Sequence, residues 1–113
     1  MTADLRDTPT VKKLLAALPS ESRANTWGEE VYFSVPVNTV LEGDCRKGVD
    51  AGTVCFWAEG SSLALPFGPT PISKGDECPL ASKCNVPAQI EGDPLKLKAV
   101  RDGDAIRVEL LSS

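Results

Sequence analysis

The chain lacks histidine altogether, and it has few aromatic residues and no long apolar run. Without histidine the usual base that activates a cysteine nucleophile is missing, so cysteine-histidine catalysis is excluded. No segment approaches the roughly 20 apolar residues that span a bilayer. The opening MTADLRDTPT carries acids where a signal peptide would carry positive charge. We therefore expect a cytoplasmic protein without a membrane partner.

An excess of positive charge is also missing. The 12 Lys and Arg residues are outnumbered by 16 Asp and Glu residues, and the formal net charge is -4. The basic residues are scattered along the chain, which disfavours nucleic acid as a partner. A length of 113 residues fits one compact domain, so we expect residues 1–113 to form a single domain.

One segment has the pattern of a short helix. Thr8 is a suitable N-cap, Pro9 sits where its missing donor is harmless, and Pro19 ends the segment. The apolar residues follow a helical period that predicts one buried stripe, made of Val11, Leu14, Leu15 and Leu18.

The remainder of the sequence favours strands. Apolar residues alternate after Trp27, with Val31, Phe33, Val35 and Val37 predicted on one face. We predict a hairpin of strands at 52–57 and 62–67, a long loop at 68–87, a short strand at 88–92 and a last strand at 104–111. The segment at 92–100 favours a short helix that begins at Asp93 and Pro94, although its alternating apolar residues also fit a strand. Together these elements predict a mainly β domain, a closed or nearly closed barrel with the first helix plugging one end.

Three motifs then identify a family resemblance. NTWGEEVYFSVPV, VCFWAEGSSLALPFGPTPIS and SKCNV resemble segments of the small uncharacterised cyclophilin-like proteins of bacteria and archaea. The resemblance implies a cyclophilin-like barrel capped by one or two short helices. Members of that family begin with an additional strand, so we expect the first strand to be missing and one barrel edge to be open. An open edge favours a homodimer.

The barrel of true cyclophilins carries prolyl isomerase activity, which depends on an arginine on a strand and a histidine-lined pocket. The matching strand VYFSVPV has no Arg, and the chain has no His. Because a shared fold does not transfer function, we expect no isomerase activity. The family itself has no assigned role, and we expect a barrel that binds a small ligand or peptide. The alternative is a divergent enzyme, either an isomerase or a hydrolase that uses Glu29.

Adjacent carboxylates on a strand point to opposite faces, so Glu29 and Glu30 cannot act as a dyad. Alternation places Glu29 inward and Glu30 outward with Tyr32. All the aromatic residues fall between Trp27 and Phe67, and they predict an apolar pocket wall with a few polar groups. Tyr32 joins this wall if its strand bulges before Pro36. The predicted pocket residues are Trp27, Glu29, Tyr32, Trp57, Phe67, Thr70 and Asn85.

The four cysteines, Cys45, Cys55, Cys78 and Cys84, are expected to be thiols in a reducing compartment. Two alternatives remain open: a disulfide or redox pair of Cys78 with Cys84, and an all-thiolate zinc site. The spacings are wider than those of a zinc knuckle. We therefore expect no metal, no other cofactor and no catalytic residue.

Overall fold

A computed structural model describes residues 1–43, 45–68 and 78–110, with only the backbone described for residues 78–82. The elements, in chain order, are β1 (Ala3–Leu5), α1 (Pro9–Ala17), β2 (Ser20–Arg23), β3 (Asn25–Thr26), β4 (Glu30–Ser34), β5 (Arg46–Val49), β6 (Thr53–Trp57), β7 (Ser62–Pro66), β8 (Cys78–Ile90), a 3₁₀ helix (Pro94–Ala99) and β9 (Ala105–Val108). In the part of the chain that is described, no helix has the length and apolar character needed to cross a membrane.

The helix α1 begins as its capping residue predicts. The Thr8 hydroxyl accepts a hydrogen bond from the backbone N–H of Val11 at 3.2 Å. Val11 and Leu14 are buried, as expected, whereas Leu15 is 39% exposed. The apolar stripe is therefore narrower than the sequence pattern indicates.

The predicted mainly β fold is confirmed by an antiparallel sheet in the order β1-β8-β6-β7-β4-β3, with β5 also pairing with β8. The strands β2 and β9 form a separate pair. The predicted hairpin is β6 with β7, where Phe56 lies opposite Leu63. Among the described residues no ladder joins β1 to β3, so the sheet is barrel-like without being closed by hydrogen bonds.

The main core lies on one face of this sheet. Alternation along β4 places Val31 and Phe33 there, and Leu14 of α1 and Leu97 of the 3₁₀ helix pack against the same face. Burial of each such side chain contributes roughly 1.5 to 3 kcal/mol. The main core consists of Leu14, Ala24, Val31, Phe33, Val35, Val37, Val54, Phe56, Leu63, Phe67, Ala88, Ile90 and Leu97.

The predicted loop at 68–87 is wrong over its second half, because β8 begins at Cys78. The strand tolerates Pro87 because that residue lies where the β6–β8 register shifts, between the pairs Phe56–Asn85 and Val54–Ala88. Its carbonyl still accepts from the Arg6 N–H at 2.8 Å. The first half of the predicted loop, residues 69–77, lies outside the described residues.

A second strand, β5, was also not predicted. It pairs with the beginning of β8, where Arg46 lies opposite Cys84 and Val49 opposite Cys78. We call this pair the β5/β8 ribbon (residues 46–49 with 78–84). Side chains from the ribbon and from the sheet form a second cluster, made of Val49, Cys55, Ala64 and Cys84. Because Cys55 and Ala64 alternate with the core residues Phe56 and Leu63, this cluster lies on the opposite face of β6 and β7.

Candidate functional site

Glu30 is the first residue of β4 and lies opposite Pro66 of β7. It is only 6% exposed, although its neighbours Val31 and Phe33 fill the other face of the strand. Alternation places Glu30 and Tyr32 on the same face, and Tyr32 packs against the second cluster. The carboxyl group is therefore buried on the side of the sheet that the β5/β8 ribbon covers.

One oxygen of the Glu30 carboxyl group lacks a hydrogen bond within the described part of the chain. Its Oε1 atom is buried and has no hydrogen-bond partner among the described residues. Burial raises the pKa of this carboxyl from an ordinary value of 4.5 to about 7. A carboxyl with such a pKa exists in both protonation states near neutral pH, which is a property of many functional sites.

The Cys84 thiol lies near Glu30, and the Cys45 thiol lies near Cys84. Burial, then the charges of Glu30 and Cys45, raise the pKa of Cys84 to about 12. Cys84 is 3% exposed, and Cys45 is half-buried. With so high a pKa, Cys84 stays protonated at neutral pH and is a poor nucleophile. We define the Glu30 site as Glu30, Tyr32, Cys45 and Cys84, a set suited to binding more than to covalent chemistry.

The predicted pocket residues do not gather in one wall. Tyr32 lies in the Glu30 site, but Phe67 belongs to the main core on the other face. Trp57 is 36% exposed and covers Gly60, where a Cβ atom would overlap the indole ring. The backbone N–H of Trp27, which is half-buried, donates to the Glu30 carbonyl at 3.0 Å. The prediction for Thr70 lies outside the described residues.

Glu29 occupies different surroundings from Glu30. Its carboxylate fills the space above Gly68, where the Cβ atom of any other residue would overlap Oε2. Its backbone carbonyl accepts from the N–H of Phe67 at 2.8 Å. The glycine of the motif PFG therefore gives the Glu29 carboxylate room at the end of β7.

Asn85 is fully buried and holds three segments together. Its Nδ2 donates to the Thr10 hydroxyl at 3.0 Å and to the Val40 carbonyl at 2.9 Å. Its Oδ1 accepts from the Glu42 N–H at 2.7 Å, and the Glu42 carboxylate accepts from the Thr10 N–H at 3.0 Å. We call Asn85, Thr10, Val40 and Glu42 the Asn85 network. Both N–H groups of the Asn85 amide and its Oδ1 atom are therefore engaged within the protein, which favours a structural role for this residue.

The structure shows Cys45, Cys55 and Cys84 as thiols. Within the described ranges no group of three or more His, Cys, Asp or Glu residues has the arrangement of a metal site. The side chain of Cys78 lies outside the described residues, so its part in the redox-pair and zinc alternatives remains a prediction.

Alternation along β4 predicts the correct face for Glu30, but it predicts an open face where the structure has a covered one. The covering ribbon was missed because β5 reads as a polar turn and β8 as a proline-rich loop. The sequence of the β6–β7 hairpin does indicate that this face is covered. Cys55, Ala64 and Pro66 are small or apolar residues at the positions that face away from the main core, and strands that are apolar on both sides are buried on both sides.

Comparison with known proteins agrees with this architecture. The family model described as Cyclophilin-like matches residues 1–109. The chain is similar to the solution structure of the hypothetical protein AF2241 from Archaeoglobus fulgidus, at 37% sequence identity and a TM-score of 0.79. That likeness covers 95% of this chain and 83% of the other. No curated protein matches. The barrel-like sheet, the short helices and the match over nearly the whole sequence show that this chain belongs to the Cyclophilin-like family.

Proposed function

We propose that this protein binds a small ligand at the Glu30 site and has no prolyl isomerase activity. The observation that carries the proposal is the buried Glu30 carboxyl, whose Oε1 atom has no hydrogen-bond partner among the described residues. A buried polar group of this kind costs about 1 to 3 kcal/mol when it is left unsatisfied. A ligand that donates a hydrogen bond to Oε1 would remove that cost.

The surroundings support binding. Tyr32 is half-buried, so the face of β4 that carries Glu30 is partly open there. Val86 is also half-buried, and it packs with Tyr32 against the apolar second cluster. A mostly apolar site with a few placed polar groups is the usual composition of a small-molecule pocket.

The arginine and the histidine on which prolyl isomerase activity depends in true cyclophilins have no counterpart in this chain. β4 and the segment that follows it contain no arginine, and the chain contains no histidine. We expect a prolyl-peptide assay to show no rate above background. A rate that rises in proportion to protein concentration would contradict this part of the proposal.

Native mass spectrometry tests the binding function directly. The protein is purified under mild conditions from cell extract as the wild type, as Glu30→Gln and as Glu29→Gln. We expect an extra mass on the wild type and on Glu29→Gln, and its loss from Glu30→Gln. The two variants change adjacent carboxyls by the same chemical step, so the Glu29 variant controls for altered net charge. An extra mass on all three proteins, or on none, would contradict the proposal.

The Glu30 pKa of about 7 also favours a second candidate, hydrolysis with Glu30 as general base. In this second candidate the general base of a hydrolase is Glu30, whereas the sequence favoured Glu29 for that role. The same preparation distinguishes the two functions. A co-purified molecule whose mass changes on incubation with the wild type, and stays unchanged with Glu30→Gln, would indicate turnover; an unchanged mass with both would indicate binding alone.

A further inference from the structure

The chemistry around Glu30 narrows the class of ligand, on the premise that the proposed function is correct. We infer that the ligand is an organic ammonium cation, held by the ionised Glu30 carboxylate and the ring of Tyr32. Charge, the placement of the ring and the apolar surroundings of Glu30 all favour such a ligand.

Glu30 has no countercharge among the described residues. Cys84 of β8 lies near it, Pro66 lies opposite it on β7, and Tyr32 shares its face of β4. Cys45, just before β5, lies near Cys84. None of these groups is a cation at neutral pH. The basic residues of the β5/β8 ribbon have exposed positions: Arg46, Lys47 and Lys83. A buried carboxylate without a countercharge is complementary to a ligand that brings one.

Tyr32 favours a cation over a neutral donor. Glu30 and Tyr32 are two positions apart on one face of β4, which places their Cβ atoms about 6.5 to 7 Å apart. A cation that contacts the carboxylate can therefore lie against the aromatic ring as well. A cation over such a ring gains attraction from the π-system, and the gain increases when water is excluded.

The remaining lining suits the organic part of the ligand. Tyr32 and Val86 are half-buried and pack against the buried second cluster. Their exposed parts offer an apolar surface to alkyl groups. A bare inorganic cation would gain nothing from that surface, and the described residues hold no group with the ligand number of a metal site.

Binding of an ammonium cation is linked to pH through Glu30. The cation binds the ionised carboxylate, and the free site has a pKa of about 7. The ionised fraction is roughly 0.1 at pH 6 and roughly 0.9 at pH 8. Affinity should therefore rise about tenfold between these two pH values, with release of a proton from the fraction of sites that was protonated.

The test uses butylammonium as the probe and neutral 1-butanol as its uncharged counterpart, each titrated into the protein and followed by amide NMR shifts. An alkylammonium group stays protonated up to about pH 10, so the probe itself does not titrate in this range. We expect butylammonium to bind with about tenfold higher affinity at pH 8 than at pH 6. We expect Glu30→Gln to abolish that binding and Glu29→Gln to retain it.

A second variant protects the test against misfolding of Glu30→Gln. Tyr32→Leu keeps the carboxylate and removes the aromatic ring, so we expect several-fold weaker butylammonium binding with the same ratio between the two pH values. Equal binding of 1-butanol, no pH dependence, no effect of Glu30→Gln or no butylammonium binding at pH 8 would overturn the inference. A neutral molecule that co-purifies in a Glu30-dependent manner would overturn this inference and leave the proposed function standing. If no ligand of any charge depends on Glu30, both fail.

Discussion

Among single residues, Glu30 connects the stability of the fold to pH. Its pKa is about 7 in the folded protein against an ordinary value of 4.5, so the folded state binds a proton more tightly than the unfolded state. The stability associated with this group is fully present below about pH 4.5 and is lost as the pH rises through about 7. The whole shift corresponds to about 3 kcal/mol, since each pKa unit is worth roughly 1.4 kcal/mol.

We predict that Glu30→Gln removes the decrease in the free energy of unfolding that the ionisation of Glu30 causes. The free energy is measured by urea unfolding of the wild type, Glu30→Gln and Glu29→Gln at about pH 5 and about pH 8, with the Glu29 variant as the control for net charge. We expect Glu30→Gln to gain stability relative to the wild type by about 1 to 3 kcal/mol more at the higher pH than at the lower one. Parallel behaviour of all three proteins would show that Glu30 titrates normally.

At the scale of elements, the Asn85 network joins α1, the segment at 40–42 and β8. We predict that Asn85→Ala destabilises the protein by about 2 to 4 kcal/mol, because it removes the three hydrogen bonds made by a fully buried side chain and leaves their partners unpaired. Thermal or urea unfolding measures the loss.

Asn25→Ala is the matched control for that variant. Asn25 is exposed, and its side chain makes a single 3.5 Å contact with the Tyr32 carbonyl. Its replacement should change stability by no more than about 0.5 kcal/mol. Similar losses for the two variants would mean that the Asn85 network adds nothing beyond an ordinary surface hydrogen bond.

Elements with a local signal could be predicted from the sequence. The Thr8 cap defines α1, and the alternation of Val31 and Phe33 defines β4. The end of β8 could be predicted as a short strand, but its first part, residues 78–87, could not, because its prolines are typical of a loop and its partners β5 and β6 are distant in sequence. The candidate site could also be predicted only in part. Tyr32 was found as an aromatic residue, but the burial of Glu30 depends on the β5/β8 ribbon, whose own sequence is typical of a turn and a loop. Only the hairpin, which is apolar on both faces, indicates that this side is covered.

At the scale of the whole molecule, the two edges of the main sheet differ. At the β3 edge, the Thr26 N–H and hydroxyl both donate to the Asp102 carboxylate, at 2.7 and 2.9 Å. At the other edge, all three residues of β1 are exposed, and in the described part of the chain β1 pairs with β8 alone. The β1 edge is therefore the one available for pairing with another strand.

We propose that the protein self-associates through β1, and we expect its sedimentation coefficient to rise with concentration. Leu5→Lys, which puts a charge at a position that is 49% exposed, should return the protein to a monomer. Val40→Lys introduces the same charge at a residue that is 78% exposed elsewhere, and it should leave association unchanged. A monomer mass at every concentration would contradict the proposal.

The register shift in β8 has a consequence for how this chain can change. Between Asn85 and Ala88 the strand holds one residue more than β6 does between Phe56 and Val54. Cys84 therefore belongs to the second cluster while Ala88 belongs to the main core. Deleting one residue there would turn the side chains of half of the strand to the opposite face of the sheet. Cys84 would then point away from Glu30, and Asn85 would point away from α1.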